Sequence, residues 1–228
     1  GISSIFFDGS EIEHGILLPE SQNHLLFDIA ESMFSGVSEP CEYQYGLTGT
    51  FALMIGFSVG LPPLWNIETG ESGIGVFGLM DQGSNNGRGI VPSPPTPWTR
   101  MYAGWESPIY ADFGTSIKLA SRNENQLVHI SINESEYFLI ENRDNTVRDG
   151  ISLDSIRYLM GENSGDNKYP PYIEVLQDSA GLEKNENGVV ISVPNYDTGL
   201  PASGLLIWHI DETVIQSGLN DYSVNSNL

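Results

Sequence analysis

The chain has 228 residues, enough for one large domain or two small ones with a real core. Nine Lys plus Arg stand against thirty Asp plus Glu, a net charge of −21, and such a surface repels nucleic acid and acidic membranes. No apolar run reaches the roughly 18 residues of a membrane helix; the longest, around Phe51–Leu64, is interrupted by Gly56, Gly60 and two prolines.

The acidity suits bound divalent cations, which take oxygen ligands, a high-salt or extracellular setting, or plain solubility. The single cysteine, Cys41, cannot form an internal disulfide and reads as a small buried apolar residue. The chain begins without an initiator methionine or a signal peptide. It reads as a processed or incompletely observed piece of a longer precursor, truncated at both ends.

In chain order, Ile2 to Phe7 read as a strand ending at the turn dipeptide Asp8-Gly9. Residues 17–21 are loop-like. The spacing of Leu26, Ile29, Ala30 and Met33 predicts a helix over 25–34. Thr48 or Thr50 is suited to cap a second helix running to about Val59. That helix is apolar on nearly every side, which predicts that it is buried all round. Gly60 ends it, and Pro62-Pro63 forbid continuation.

Residues 66–105 are rich in Gly, Pro, Asn and Ser and read mostly as loop, with a tight turn at Asn85-Asn86-Gly87 and a short helix from Trp98 to Tyr102. The second half reads as strands at Ser116–Ala120, Leu127–Ile132, Tyr137–Glu141, Tyr172–Leu176, Val189–Val193 and Leu205–Ile210. The ending from Asp211 is polar, with no element expected.

One stretch carries a distinctive spacing. Residues 53–64 read Leu-Met-Ile-Gly-Phe-Ser-Val-Gly-Leu-Pro-Pro-Leu, and 73–83 read Gly-Ile-Gly-Val-Phe-Gly-Leu-Met-Asp-Gln-Gly. In frame and surroundings they resemble the zinc helix and downstream turn of the immune inhibitor A type of secreted metallopeptidase. That family writes its helix His-Glu-x-Gly-His-x-x-Gly-Leu-Pro-Asp-Leu. Further blocks follow in order: 16–21, 45–50, 94–105, 136–143 (Glu-Tyr-Phe-Leu-Ile-Glu-Asn-Arg) and 199–212 (Gly-Leu-Pro-Ala-Ser-Gly-Leu-Leu-Ile-Trp-His-Ile-Asp-Glu). The resemblance implies an α+β, strand-rich remnant of a zincin-like metallopeptidase domain. Residues 1–112 would form its core with the former zinc helix, and 113–228 the β-rich part of the same unit.

The metal ligands of the motif are missing. Two histidines at i and i+4 share a helix face and supply two zinc ligands, and the adjacent glutamate takes a proton from the metal-bound water. Here Leu53 and Phe57 stand at the histidine positions, Met54 at the glutamate and Pro63 at the aspartate. Leucine and phenylalanine have no lone pair to donate, and a thioether is a poor zinc ligand without basicity. The helix reads as repacked into core. The four histidines, His14, His24, His129 and His209, include no pair at ligand spacing. In Trp-His-Ile-Asp, strand alternation turns His209 and Asp211 away from Trp208 and Ile210; His209 reads as a structural histidine.

No Gly-x-Ser-x-Gly elbow is present, and the glycine-rich runs at 73–75 and 83–89 lack the strand-then-helix setting of a phosphate loop. Calcium is the more credible cofactor: relatives carry it, and oxygen-rich loops offer Asp144 with Asp149 and Glu162 with Asp166, though neither matches an EF-hand. Asp81 and Asp211 read as turn braces. Trp65, Trp98, Trp105 and Trp208 read as walls of the core. Asn133-Glu134-Ser135 is a glycosylation triplet.

These readings predict no zinc and no peptidase activity. They predict instead an extracellular or cell-surface protein that binds protein partners, other fragments of the same precursor among them, or self-assembles. Two alternatives stand beside this: a secreted hydrolase completed by segments outside this chain, and a peptide-binding module that does not cleave.

Overall fold

The structure, a computed structural model, describes residues 5–7, 10–12, 15, 18, 21–23, 44–121, 126–148, 151–152, 183–186, 190–193, 195–221 and 223–225. The first strands are β1 (Ile5–Phe7), β2 (Ser10–Ile12), β3 (Ser21–Asn23) and β4 (Gln44–Gly46). Helices α1 (Thr48–Ser58) and α2 (Pro97–Tyr102) follow. Next come β5 (Ile109–Tyr110), β6 (Val128–Ser131), β7 (Glu136–Arg143), β8 (Thr146–Arg148) and β9 (Ile151–Ser152). The last elements are β10 (Glu183–Lys184), β11 (Val190–Ser192), β12 (Gly204–Asp211) and helix α3 (Glu212–Gly218).

The fold class is mixed α+β. The main sheet has the order β12-β7-β6-β5, antiparallel except for the parallel β5–β6 edge pair. A second four-stranded sheet runs β10-β11-β4-β3. The long strands alternate as a half-buried sheet requires. In β7, Tyr137, Leu139, Glu141 and Arg143 are buried, while Glu136, Phe138, Ile140 and Asn142 are half-buried. Antiparallel register places Leu206, Trp208 and Ile210 of β12 opposite Glu141, Leu139 and Tyr137 on the same inner face.

One hydrophobic cluster draws on both halves of the chain: Leu61, Leu64, Leu79, Met80 and Trp98 from the first, Leu127, Tyr137, Leu139, Ile210 and Val224 from the second. Trp98 enters it from α2, whose N-cap Thr96 accepts the Thr99 backbone N–H and whose first residue is Pro97. Trp208 packs against the cluster half-buried, but Trp105 lies 57% exposed and walls nothing.

Several local expectations change. Helix α1 spans the expected residues, but its N-cap is Leu47 and no side chain caps it; the chain enters it directly from β4, so neither threonine reaches the cap position. Nor is the helix buried all round: only Gly49 and Gly56 are fully buried, and Phe51, Ile55 and Val59 are 40%, 58% and 59% exposed. A single face packs, because only one side meets the core. Residues 116–120 form no strand. The Leu119 carbonyl accepts from the Asn142 side chain and the Ala120 N–H donates to Gln126, so side chains satisfy the groups a ladder would need. The strand lies instead at Ile109–Tyr110, beside β6.

The expected turn at 85–87 sits within a 3-10 helix, Gln82–Gly89. There the buried Asn86 side chain donates to the Val76 carbonyl and Ser93 Oγ. The polar ending contains α3, whose N-cap Asp211 accepts from the Thr213 and Val214 N–H groups. The expected helix at 25–34 and strand at 172–176 lie outside the described residues, as do His14, His24 and Cys41.

Candidate functional site

The helix with the unusual spacing is held against the core by glycines. A Cβ on Gly56 would meet Met80 Sδ at 2.7 Å, and one on Gly49 would meet the Ser84 carbonyl oxygen at 1.8 Å. This close approach brings Ala52, Leu53 and Phe57 onto the core cluster. Phe57 sets its ring edge against Trp65, with centroids 5.7 Å apart. Met54 is half-buried. At the helix end Gly60 adopts φ 87°, where a side chain would be strained. The Gly60 and Leu61 N–H groups donate to the Phe57 and Gly56 carbonyls, and Pro62 and Pro63 are buried in the exit turn. Leu53, Met54, Phe57 and Pro63 thus present packing surface and no side-chain nitrogen or oxygen that could hold zinc.

The downstream turn is organised by Asp81, which is buried. Its Oδ2 accepts from Ser72 Oγ at 2.8 Å and from the N–H groups of Gly73, Ile74 and Gly75 at 2.9, 2.7 and 3.1 Å; Oδ1 accepts from the Gln82 N–H. A carboxylate in a nest of backbone donors fixes a loop, the bracing role expected of it. A cavity of about 380 Å³ lies near this turn, lined by Asn66, Glu71, Ser72 and Asn225. None of the four helix and turn positions lines it.

On the inner face of the sheet lies a charged network that the sequence reading missed. Arg143 donates through Nε and Nη2 to Asp197 Oδ1, and through Nη1 to Glu141 Oε1 at 3.0 Å. Glu141 also accepts from Trp208 Nε1 at 3.2 Å and from Arg100 Nη2 at 3.0 Å, and Arg100 Nε reaches Glu106. Burial by itself lowers the Arg143 pKa, but the hydrogen bonds and charges of Asp197 and Glu141 outweigh it and hold the guanidinium above its ordinary value. The network ties α2, β7, β12 and the 196–199 turn together with every charge partnered. Continuing the β7 alternation two residues past Glu141 would have placed Arg143 on the buried face.

Beside it is an aromatic group. The His129 ring stacks on Tyr137 at 4.3 Å and tilts against Tyr110 at 4.8 Å. Its buried Nδ1 has no hydrogen-bond partner, and burial lowers its pKa, so the ring is neutral near pH 7. The Tyr137 hydroxyl donates to Glu212 Oε1, which also accepts from Trp98 Nε1. Burial first, then the Glu212 carboxylate, pushes the Tyr137 pKa up. A phenol made harder to ionise and an imidazole with no acid or base partner do not make an activated nucleophile.

His209 takes the structural role expected of it, exposed on the outer face with Nε2 3.0 Å from Glu136 Oε2. Asn133 Oδ1 accepts from the Ser135 and Glu136 N–H groups, and its Nδ2 donates to Glu136, in an exposed turn. Of the calcium candidates only Asp144 is described. Its Oδ1 accepts from the Thr146 N–H and hydroxyl and from Ser203 Oγ. Asp149, Glu162 and Asp166 lie outside the described residues. Among the described residues no three His, Cys, Asp or Glu side chains group as a metal site.

Comparison with known proteins returned no matching family model, curated protein or solved structure.

Proposed function

We propose that this chain is a catalytically inactive, metallopeptidase-like extracellular protein whose work is binding or assembly. The observation that carries the reading is the placement of Leu53 and Phe57. They occupy the i and i+4 positions where the resembling motif holds its zinc histidines, and both pack onto the core cluster. Zinc does not fit these residues, since neither carries a lone pair and Met54 cannot act as a base. The ordered blocks from residue 16 to residue 212 support the family likeness, and the acidic chain is unsuited to nucleic acid. No helix among the described residues is long and apolar enough to cross a membrane. Protein partners, including other parts of a common precursor, are the partners proposed. Calcium is proposed as a structural ion in either of two oxygen-rich loops, one with Asp144 and Asp149 and the other with Glu162 and Asp166.

Elemental mass spectrometry of the purified protein, with a peptidase assay in added zinc, tests this. The expected result is no zinc and no turnover, with or without calcium. About one zinc per chain, with turnover abolished by a chelator, would mean a rebuilt site and a working hydrolase.

A further inference from the structure

We propose that the outer edge of β12 receives an added strand, an extended segment of another protein that carries alternating apolar side chains and a basic end. Strand β12 pairs with β7 over eight residues without a register shift and, among the described residues, ends the sheet. The backbone hydrogen bonds of the described residues set no further strand against its other edge. Natural edges are blunted by lysine, proline or a bulge. Gly204-Leu-Leu-Ile-Trp-His-Ile-Asp211 has no proline, lysine or bulge. Its backbone is therefore a template for strand addition, in which main-chain bonds give affinity and alternate side chains give specificity.

The outer face says what chemistry fits. Leu205 and Ile207 are 59% and 64% exposed there, continuous across the sheet with Phe138, Ile140 and the exposed Ile130. At one end of the same face Asp211 stands directly opposite Glu136, and the exposed Glu134 lies in the adjoining turn. Asp211 caps α3 and Glu136 meets His209 and Asn133, so the charge left to attract a basic end is that of the exposed Glu134 and of a chain with a net charge of −21. A second copy of the chain is the poorer occupant, because each copy brings a net charge of −21. This edge would give the binding role above a surface, yet it does not depend on that reading: zinc-dependent turnover would overturn the former and leave the edge as it is.

The test is a fluorescence anisotropy titration of the full chain. The probe is a labelled peptide of about eight residues, matching β12, with valine at alternate positions and lysine at both ends. Binding is expected to weaken at least about tenfold when alternate peptide amides are N-methylated, and similarly when glutamate replaces the lysines. It should also weaken with added salt. Ile207→Lys and Leu205→Lys should each lower affinity about tenfold with an unchanged circular dichroism spectrum, because both side chains are exposed. No binding, equal binding of the N-methylated or glutamate peptide, or a homodimer that Ile207→Lys dissolves would overturn the proposal. The peptide series decides the matter even if a variant fails to fold.

Discussion

Strand β7 and helix α1 reverse the usual relation between polarity and burial. The strand carries Glu141 and Arg143 on its buried face, each about 5% exposed. The helix is apolar at nearly every position, yet Phe51, Ile55 and Val59 stand in solvent. Burial follows the partners an element meets. Two sheet neighbours, α2 and the 196–199 turn close over β7, and each buried charge finds an opposite one. The helix meets the core along one line, through its two glycines. A charged group withdrawn from water is tolerated when it is fully hydrogen-bonded; an apolar side chain left outside simply forgoes the gain of burial.

The largest test of this contrast removes the centre of the network. Arg143→Ala leaves Asp197 buried without its cation and Glu141 with Arg100 alone, and breaking such a pair costs about 3–5 kcal/mol. Urea denaturation should show that loss as a lowered midpoint with little change in slope. On the helix, Gly49→Ala places a methyl group against the Ser84 carbonyl and should cost about 3 kcal/mol, whereas Ile55→Lys on the exposed side should stay within about 0.5 kcal/mol. A large effect of Ile55→Lys would mean that the helix face is covered in the native protein.

The smallest effect concerns His129. Burial holds its folded-state pKa below the ordinary histidine value, so the unfolded chain binds the proton more readily. The stabilisation from keeping this ring neutral is fully present above the unfolded pKa and is lost as pH falls through the folded pKa. His129→Phe keeps an aromatic ring between Tyr110 and Tyr137 and removes the titration. Urea melts from about pH 7 down to pH 5 should show a flatter loss of stability in the variant, by roughly 1 kcal/mol or less. An unchanged pH slope would assign the acid sensitivity to other groups.

Much of the fold was legible where local chemistry is self-contained. The extent of α1, its exit through Gly60 and the prolines, and strands β6, β7 and β12 all follow from periodicity and turn residues. Asp81 and Asp211 were legible as turn braces because a short carboxylate in a turn reaches nearby backbone N–H groups, as both do here. Residues 116–120 misled because their alternation is that of a strand, while Gln126, six residues on, and Asn142, 23 residues from Leu119, take up their backbone groups. Helix α3 was missed because it is short, and its Glu212 is anchored by Trp98 and Tyr137, 114 and 75 residues away.

By itself the sequence determined the strong net charge, the absence of side-chain nitrogen or oxygen donors at positions 53, 54 and 57, and the alternation of the two long strands, because these depend on residue identity and short spacing alone. Only the tertiary structure decided which face of the apolar helix meets the core, that Arg143, Glu141 and Asp197 lie within hydrogen-bonding reach, and that β12 ends its sheet among the described residues. Each of these is set by neighbours brought together from far along the chain, and their free energy belongs to the pair rather than to either residue.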